Sequence, residues 1–156
     1  MTDTKTALIV VDAWDDYWEW DLEKYPFIPT ETKTFGKFIN YVCNTERNKG
    51  VDIFHDGDGH TLMPEIDRSN DVTLSSLDDI PLTYSHYYFC GFHYGNCIHR
   101  RLDRMTRLVE TDKIGAVFNL SMIVHNFDYK RVQENMQRYK NYLWTHRGYL
   151  PVNISI

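Results

Sequence analysis

Length, composition and charge describe an acidic chain of single-domain size. Its 156 residues are 42% apolar, which is enough to fill one hydrophobic core and leaves little room for a second. The formal net charge of −5 creates no positive field for phosphate backbones or anionic lipid, which argues against nucleic acid and against a membrane surface as partners. We therefore expect one domain over residues 1–156.

The first predicted element is the aliphatic run from Ala7 to Val11. A continuous apolar run of this length is typical of a parallel strand that helices cover on both faces. Asp12 follows directly and would lie at the C-terminal end of the strand. The run is too short to span a membrane and lacks the flanks of a secretion signal. Because the three cysteines cannot all pair with one another, we expect free thiols and a cytoplasmic protein.

A helix and a second strand come next. The apolar residues that recur at helical spacing are Phe35, Phe38, Ile39 and Val42. Gly50 is a typical residue to end that helix, and residues 51–55 form the second predicted strand. The strand runs into the sequence Asp56-Gly57-Asp58-Gly59-His60, which is rich in turn-forming residues.

Residues 61–83 are predicted to form loops with one short strand at Val72 to Leu74, because Pro64 and Pro81 limit helix formation. The aromatic segment from Tyr84 to Cys90, bounded by Gly91, predicts a third strand. We interpret this segment and a second aromatic cluster at residues 14–20 as core or subunit-interface residues rather than ligand contacts.

A long second helix is predicted after the turn from Gly91 to Asn96. Its apolar face consists of Ile98, Leu102, Met105, Leu108 and Val109, and its opposite face carries Arg100, Arg101, Arg104 and Arg107. Because acidic residues are interspersed with these arginines, we interpret the second face as solvated or subunit-facing rather than phosphate-binding.

The remaining chain continues the alternation of elements. An apolar stretch at residues 114–124 is followed by a predicted helix with Asp128 as its cap and Val132, Met136, Tyr139 and Leu143 on one face. The tail at residues 148–156 could add a strand to this subunit or to a neighbouring one. Alternating strands and helices predict an α/β domain with a parallel sheet and right-handed crossovers.

Three segments are predicted to meet beyond the carboxyl ends of the strands, where ligands bind in open α/β sheets. These are Asp12, the loop at residues 56–60 and the turn before Cys97. A thiol at the start of a helix has its thiolate stabilised by the helix dipole, and nearby backbone N–H groups can hold an oxyanion. The competing interpretation is that Cys97 is a small buried apolar residue.

Two segments of the sequence resemble isochorismatase-like cysteine hydrolases. Residues 6–17, TALIVVDAWDDY, resemble the opening strand of that family, where an aliphatic run ends in the catalytic aspartate. Residues 91–98, GFHYGNCI, resemble the second signature, in which a glycine ends a strand and the nucleophilic cysteine stands six positions later. The resemblance implies a three-layer Rossmann-like fold with a central, mainly parallel sheet flanked by helices.

The resemblance also implies a mechanism for a small amide-like substrate. Asp12 would take the proton of Cys97, and the thiolate would attack the substrate carbon to form a covalent intermediate that water releases. Backbone N–H groups near Asn96 and Cys97 would form the oxyanion hole. The residues expected to line the substrate cleft are Trp14, Tyr17, His93 and Tyr94. Members of the family often form oligomers, so a homo-oligomer is expected.

The resemblance implies a third catalytic residue, a lysine on the sheet between the two signatures, which has no counterpart here. The chain contains no lysine between Lys49 and Lys113. Arg68 could supply charge in that stretch but is too basic to exchange a proton near neutral pH. The histidines whose imidazole groups could titrate at the predicted site are His60, His86 and His93.

Metal binding is a further question, because amidases of the family can hold a metal beside the cysteine. Asp56, Asp58 and His60 have suitable ligand types and spacing, although the same sequence suits a tight solvated turn. No cofactor is required by the predicted mechanism. A separate pattern, Cys90-x-x-His93-x-x-x-Cys97-x-His99, has the ligand types of structural zinc, but it needs a strand residue and a turn residue to face the same side.

Two hypotheses about function remain open at this point. One is an isochorismatase-like cysteine hydrolase that uses Cys97 and Asp12. The other is a catalytically silent relative that keeps the fold as a binding or assembly module, with aromatic segments forming subunit contacts. The missing lysine and Tyr94, which stands where the family has a small hydroxyl residue, favour the second hypothesis.

Overall fold

The computed structural model describes residues 5–13, 28–57, 61–68, 70–91, 99–110, 113–121 and 143–145. The strands are β1 (Thr6–Val11), β2 (Asp52–Asp56), β3 (Val72–Leu74), β4 (His86–Gly91), β5 (Ile114–Ser121) and β6 (Leu143–Thr145). The helices are α1 (Ile28–Asn48) and α2 (His99–Met105), with a short 3₁₀ turn at Leu77–Asp79. No helix in these ranges combines the length and hydrophobicity that crossing a membrane requires.

The strands described form one sheet in the order β3-β2-β1-β4-β5-β6, and every neighbouring pair is parallel. From β1 the chain builds outward to β2 and β3, and it then places β4 on the other side of β1 and continues to β5 and β6. The direction of building therefore reverses between β1 and β4. Such a reversal opens a crevice at the carboxyl ends of the two strands, where α/β proteins bind ligands.

The core lies on both faces of the sheet, because the side chains of β1 alternate between them. One set, here the α1-side cluster, contains Leu8 and Val10 of β1 with Ile39, Val42 and Cys43 of α1. The other set, the α2-side cluster, contains Ala7, Ile9 and Val11 of β1 with Phe54, Phe89 and Met105. Helices therefore cover both faces, as predicted from the continuous apolar run of β1.

The predicted second helix is shorter than expected. α2 ends at Met105, and the chain continues in a tight turn in which Arg107 N–H donates to Arg104 O and Leu108 N–H donates to Met105 O. Leu108 and Val109 still pack on the α2-side cluster, although they lie beyond the helix. An apolar pattern at helical spacing therefore identified buried residues correctly but extended the helix by about one turn.

The predicted C-terminal helix is wrong at Leu143. This residue begins β6 and pairs with Gly115 of β5, because extended backbone there adds a strand to the sheet. The other residues of that predicted helix, and the tail at residues 148–156, lie outside the described residues.

The aromatic segment at residues 84–90 confirms the core interpretation, although its strand, β4, begins at His86 rather than at Tyr84. Tyr84, Tyr87 and Phe89 are buried, and the Tyr84 ring meets the rings of both Phe54 and Tyr87 edge-on. Tyr87 O–H donates to Pro81 O at 2.8 Å and accepts from Tyr84 N–H at 3.2 Å. The aromatic cluster at residues 14–20 lies outside the described residues.

Candidate active site

The ends of three strands meet at one edge of the sheet. Val11 of β1 pairs with Asp56 of β2 on one side and with Gly91 of β4 on the other. The next residue, Asp12, donates its backbone N–H to Asp56 O at 2.8 Å. Asp12 and Asp56 are 1% and 2% exposed, so two carboxylates are buried at this edge of the sheet, where β1 and β2 end.

Asp12 has a left-handed backbone conformation, with φ of +54°. Strand alternation would direct its side chain to the α1 side, as it does for Val10. The left-handed residue ends the alternation, and the carboxylate instead contacts a residue of α2 on the opposite face. This conformation costs a non-glycine residue about 1 kcal/mol. Strain of this kind is typical of functional residues.

Gly91 allows β4 to end close against β1. A Cβ atom at this position would lie 2.2 Å from Val11 O and 2.9 Å from Val11 N, and the φ of Gly91 is +141°. Both the contact and the conformation exclude other residues. The glycine of the second sequence signature therefore has a physical role, which is to bring the end of β4 beside Asp12.

Arg101 of α2 binds both buried carboxylates. Its Nε–H donates to Asp56 Oδ2 at 2.8 Å, and its Nη2–H donates to Asp12 Oδ1 at 3.2 Å. The side chain of Arg101 is 10% exposed. When both carboxylates are ionised, the three groups carry a net charge of −1.

The interpretation of the arginine face as solvated is wrong for Arg101. It is right for Arg100 and Arg107, which are exposed, and for Arg104, which pairs with Asp78 at the surface with about half of each side chain exposed. Arg101 and Met105 are four positions apart and share the buried face of α2. The spacing of four positions from the apolar Met105 was the sequence signal that Arg101 lies on the buried face, but its charge favoured the solvated face instead.

The other predicted cations lie elsewhere or outside the described residues. His86 pairs with Thr6 at the opposite end of β1, about 16 Å from Val11 at the rise of a parallel strand, and it stacks on Tyr88. The expectation that His86 lies at the site is therefore wrong. The charge of Arg68 acts on His55, whose pKa it helps to lower. His60 and His93 lie outside the described residues.

Comparison with solved structures identifies the fold. N-carbamoylsarcosine amidase from Thermoplasma acidophilum has a TM-score of 0.62 at 16% sequence identity, with 94% of this chain and 99% of that chain covered. An isochorismatase-like hydrolase from Alkaliphilus metalliredigens has a TM-score of 0.63 at 10% identity, with 91% and 94% covered. Pyrazinamidase of Pyrococcus horikoshii in complex with zinc has a TM-score of 0.60 at 14% identity, with 90% and 98% covered. The chain has the isochorismatase-like hydrolase fold.

Sequence comparison adds nothing to this result. No protein-family model matches the chain, and no curated protein matches it. The likeness to the solved structures concerns the isochorismatase-like fold alone, and the chemistry depends on the residues of this chain.

Within the isochorismatase-like fold of this chain, the structure describes only part of the predicted site. Asp12 and Asp56 are described and lie together, as expected from the strand ends. The residues that lie outside the described ranges are Trp14, Tyr17, Asp58, His60, His93, Tyr94, Asn96 and Cys97.

The two described cysteines are free and buried in the α1-side cluster. Burial raises the pKa of Cys43 to about 12 and raises the pKa of Cys90 well above its ordinary value. Neither thiol is therefore a nucleophile at neutral pH. Cys90 is fully enclosed on the α1 face, away from α2, which argues against its place in the predicted zinc pattern.

Metal binding can be tested at Asp56, the described member of the predicted ligand set. Its Oδ2 atom accepts a hydrogen bond from Arg101, so a cation there would share the carboxylate with a guanidinium. In the described part of the chain, no group of three or more His, Cys, Asp and Glu side chains could hold a metal ion.

A second buried polar network lies on the α1 side of the isochorismatase-like sheet. His55 Nε2 lies 2.9 Å from Asp71 Oδ2, and Arg47 of α1 donates from Nε to Asp71 Oδ1 at 2.9 Å. Burial lowers the pKa of His55, and the hydrogen bond to Asp71 opposes this effect. The network joins α1, β2 and the residue before β3. Although His55 and Asp56 are adjacent, they point to opposite faces of the sheet and belong to different networks.

Proposed function

We propose that this protein is a cysteine hydrolase that acts on a small amide-like substrate, with Cys97 as nucleophile and Asp12 as base. The observation that carries the proposal is the buried Asp12 carboxylate, held in a left-handed conformation at the crevice between β1 and β4. Gly91 supports it, because the strand that leads into the Cys97 segment ends beside Asp12. The fold it shares with amidases supports it as well.

The proposed reaction has two steps. Asp12 accepts the thiol proton of Cys97, the sulfur bonds to the carbonyl carbon, and the oxygen takes the negative charge while the backbone N–H groups of Asn96 and Cys97 donate to it. The carbon–nitrogen bond then breaks, and the leaving nitrogen takes the proton from Asp12. Water, activated by Asp12, releases the acid from the thioester and restores the thiol.

We propose that this reaction requires no metal. Zinc is bound in the Pyrococcus horikoshii pyrazinamidase complex. In this chain the guanidinium of Arg101 already binds Asp56 Oδ2, and it would repel a divalent cation on the same carboxylate. The positive charge that the site needs is thus present in a side chain.

Activity can be tested by ammonia release from a panel of small amides, including nicotinamide, pyrazinamide and N-carbamoylsarcosine. With any substrate that is hydrolysed, Cys97→Ala should abolish turnover, and Asp12→Asn should lower kcat by about 10²–10⁴-fold through loss of the base. Asp79→Asn, which changes an exposed carboxylate on the 3₁₀ turn, is the matched control and should leave kcat unchanged.

The reactivity of Cys97 provides a test that needs no substrate. Alkylation by iodoacetamide, followed by mass spectrometry over a range of pH, gives the ionisation midpoint of this thiol. The proposal predicts a midpoint below the ordinary thiol value of about 8.5. An ordinary midpoint together with no amide hydrolysis would refute the hydrolase and favour the catalytically silent binding or assembly module.

A further inference from the structure

Arg101 uses its donors differently from other paired arginines in the described part of the chain. Arg47 and Arg104 each direct Nε and Nη2 at the two oxygens of a single aspartate, Asp71 and Asp78 respectively. Arg101 directs the same two nitrogens at two different aspartates. The planar guanidinium therefore links two strand ends, β1 through Asp12 and β2 through Asp56. A lysine ammonium has no such fork.

The packing of α2 against the sheet fixes the position of Arg101. Met105 lies one turn further along the same face of α2 and is fully buried in the α2-side cluster. The Asp56 carboxylate lies on the face of the sheet that α2 covers, since its side chain alternates with that of His55 along β2. Asp56 thus holds Arg101 through Nε, and Nη2 of the same guanidinium reaches Asp12.

Chain order connects this contact to the proposed nucleophile. Cys97 stands four positions before Arg101, and α2 is the helix that follows the Cys97 segment. Because Val11 pairs with Gly91, Asp12 follows β1 beside the end of β4 from which that segment departs.

We propose that Arg101 is a positioning residue of this site, which orients the Asp12 carboxylate towards its proton-transfer partner and brings to that carboxylate a positive charge that no lysine between Lys49 and Lys113 could supply. The inference rests on the proposed cysteine hydrolase. Arg101 itself exchanges no proton, because a guanidinium is too basic to do so near neutral pH. Its effect on the reaction passes through Asp12: one carboxylate oxygen is held by Nη2–H, and this fixes the direction of the other oxygen.

A purely structural role makes a different prediction. If Arg101 only fastens α2 to the strand ends, replacing it would lower the free energy of unfolding and leave the reactivity of Cys97 unchanged in the molecules that fold. If Arg101 acts through Asp12, its replacement would slow Cys97 alkylation when Asp12 is present and have little effect when Asp12 is already Asn. The two roles are separated by a double-mutant cycle, which measures coupling between residues in contact.

The experiment uses the full chain and measures the rate of Cys97 alkylation at neutral pH. The variants are Arg101→Met, Asp12→Asn and the double variant of both. The double variant removes one positive and one negative charge, so it leaves the net charge of the three positions unchanged at −1. Arg104→Met is the matched control, since it removes an arginine–aspartate pair from the exposed face of the same helix.

We expect Arg101→Met to slow alkylation by about tenfold or more, the effect of a favourable charge lost near an ionisable pair. The same substitution in the Asp12→Asn background should change the rate less than about twofold. Arg101→Lys should recover part of the lost rate, because it restores the charge without the fork. With a hydrolysed amide, Arg101→Met should lower kcat by about ten- to a hundredfold and change KM little.

The inference is overturned if Arg101→Met alkylates as fast as wild type, or if its effect is equally large in the Asp12→Asn background. Either result would make Arg101 a structural tie or a direct partner of the thiol. Failure of the proposed function is seen separately, in wild type alone: its Cys97 would then ionise like an ordinary thiol. A normal wild-type result combined with no Arg101 effect refutes only the inference.

Discussion

Replacing Gly91 by alanine should strongly destabilise the protein, because this glycine sets the distance between the two central strands. A Cβ atom would meet Val11 O at 2.2 Å and Val11 N at 2.9 Å, and both are backbone atoms of β1 that no rotamer change can move. The φ of +141° adds a conformational cost of about 1–3 kcal/mol for a residue with a side chain. Together, overlap and strain should exceed about 4 kcal/mol, a large part of a typical domain's stability.

Gly50→Ala is the matched control for this prediction. Gly50 also has a positive φ, +84°, but nothing lies within 4 Å of its Cβ position. Its substitution should therefore cost only the conformational part, about 1 kcal/mol.

Urea unfolding followed by circular dichroism measures both variants against wild type. The prediction is also met if the Gly91→Ala variant does not fold at all while the Gly50→Ala variant does. Equal losses of stability in the two variants would refute the argument that close approach of β4 to β1 is what requires glycine.

Three further predictions concern the buried networks and the metal. Burial lowers the pKa of His55 from its ordinary 6.5. Between the lowered pKa and 6.5 the unfolded chain therefore binds more protons than the folded chain does. The free energy of unfolding should fall as pH drops through that window. Urea midpoints between about pH 7.5 and pH 5 should show this fall in wild type and a smaller one in His55→Gln; parallel curves would contradict it. Tyr87→Phe removes the partner of Pro81 O and Tyr84 N–H and should cost about 1–3 kcal/mol in urea unfolding, whereas no loss would mean that water replaces the hydroxyl. Added zinc should leave the thermal midpoint of wild type unchanged, because Arg101 already binds Asp56; a rise that Asp56→Asn abolishes would show that the metal binds there.

Local patterns predicted the central elements of this fold well. The continuous apolar run of β1 and the alternation of strands with helices indicated a parallel sheet covered on both faces, which the strand pairing confirms. The same patterns failed at element ends. Apolar spacing continues through Leu108 and Val109 because both residues pack on the core, yet hydrogen bonding ends the helix at Met105.

The site was predictable where it depends on strand ends. Asp12 and Asp56 follow apolar runs, so their meeting at one edge required only that neighbouring strands be parallel. Arg101 could not be found in this way. In the sequence it belongs to a set of four arginines on a short segment, and only its burial on the same helix face as Met105 distinguishes it from Arg100 and Arg104.

What the amino-acid sequence determined by itself is the set of local preferences: which runs are strands, where a glycine must stand, and which carboxylates end the strands. The tertiary structure alone decided the partners of those groups, namely that Arg101 turns inward to both aspartates while His86 lies at the far end of the sheet. The physical reason is that a side chain's charge and burial depend on neighbours distant in the sequence. Asp12 and Arg101 are 89 positions apart in the chain, and only the crossing of the chain between β1 and β4 brings their atoms within hydrogen-bond distance.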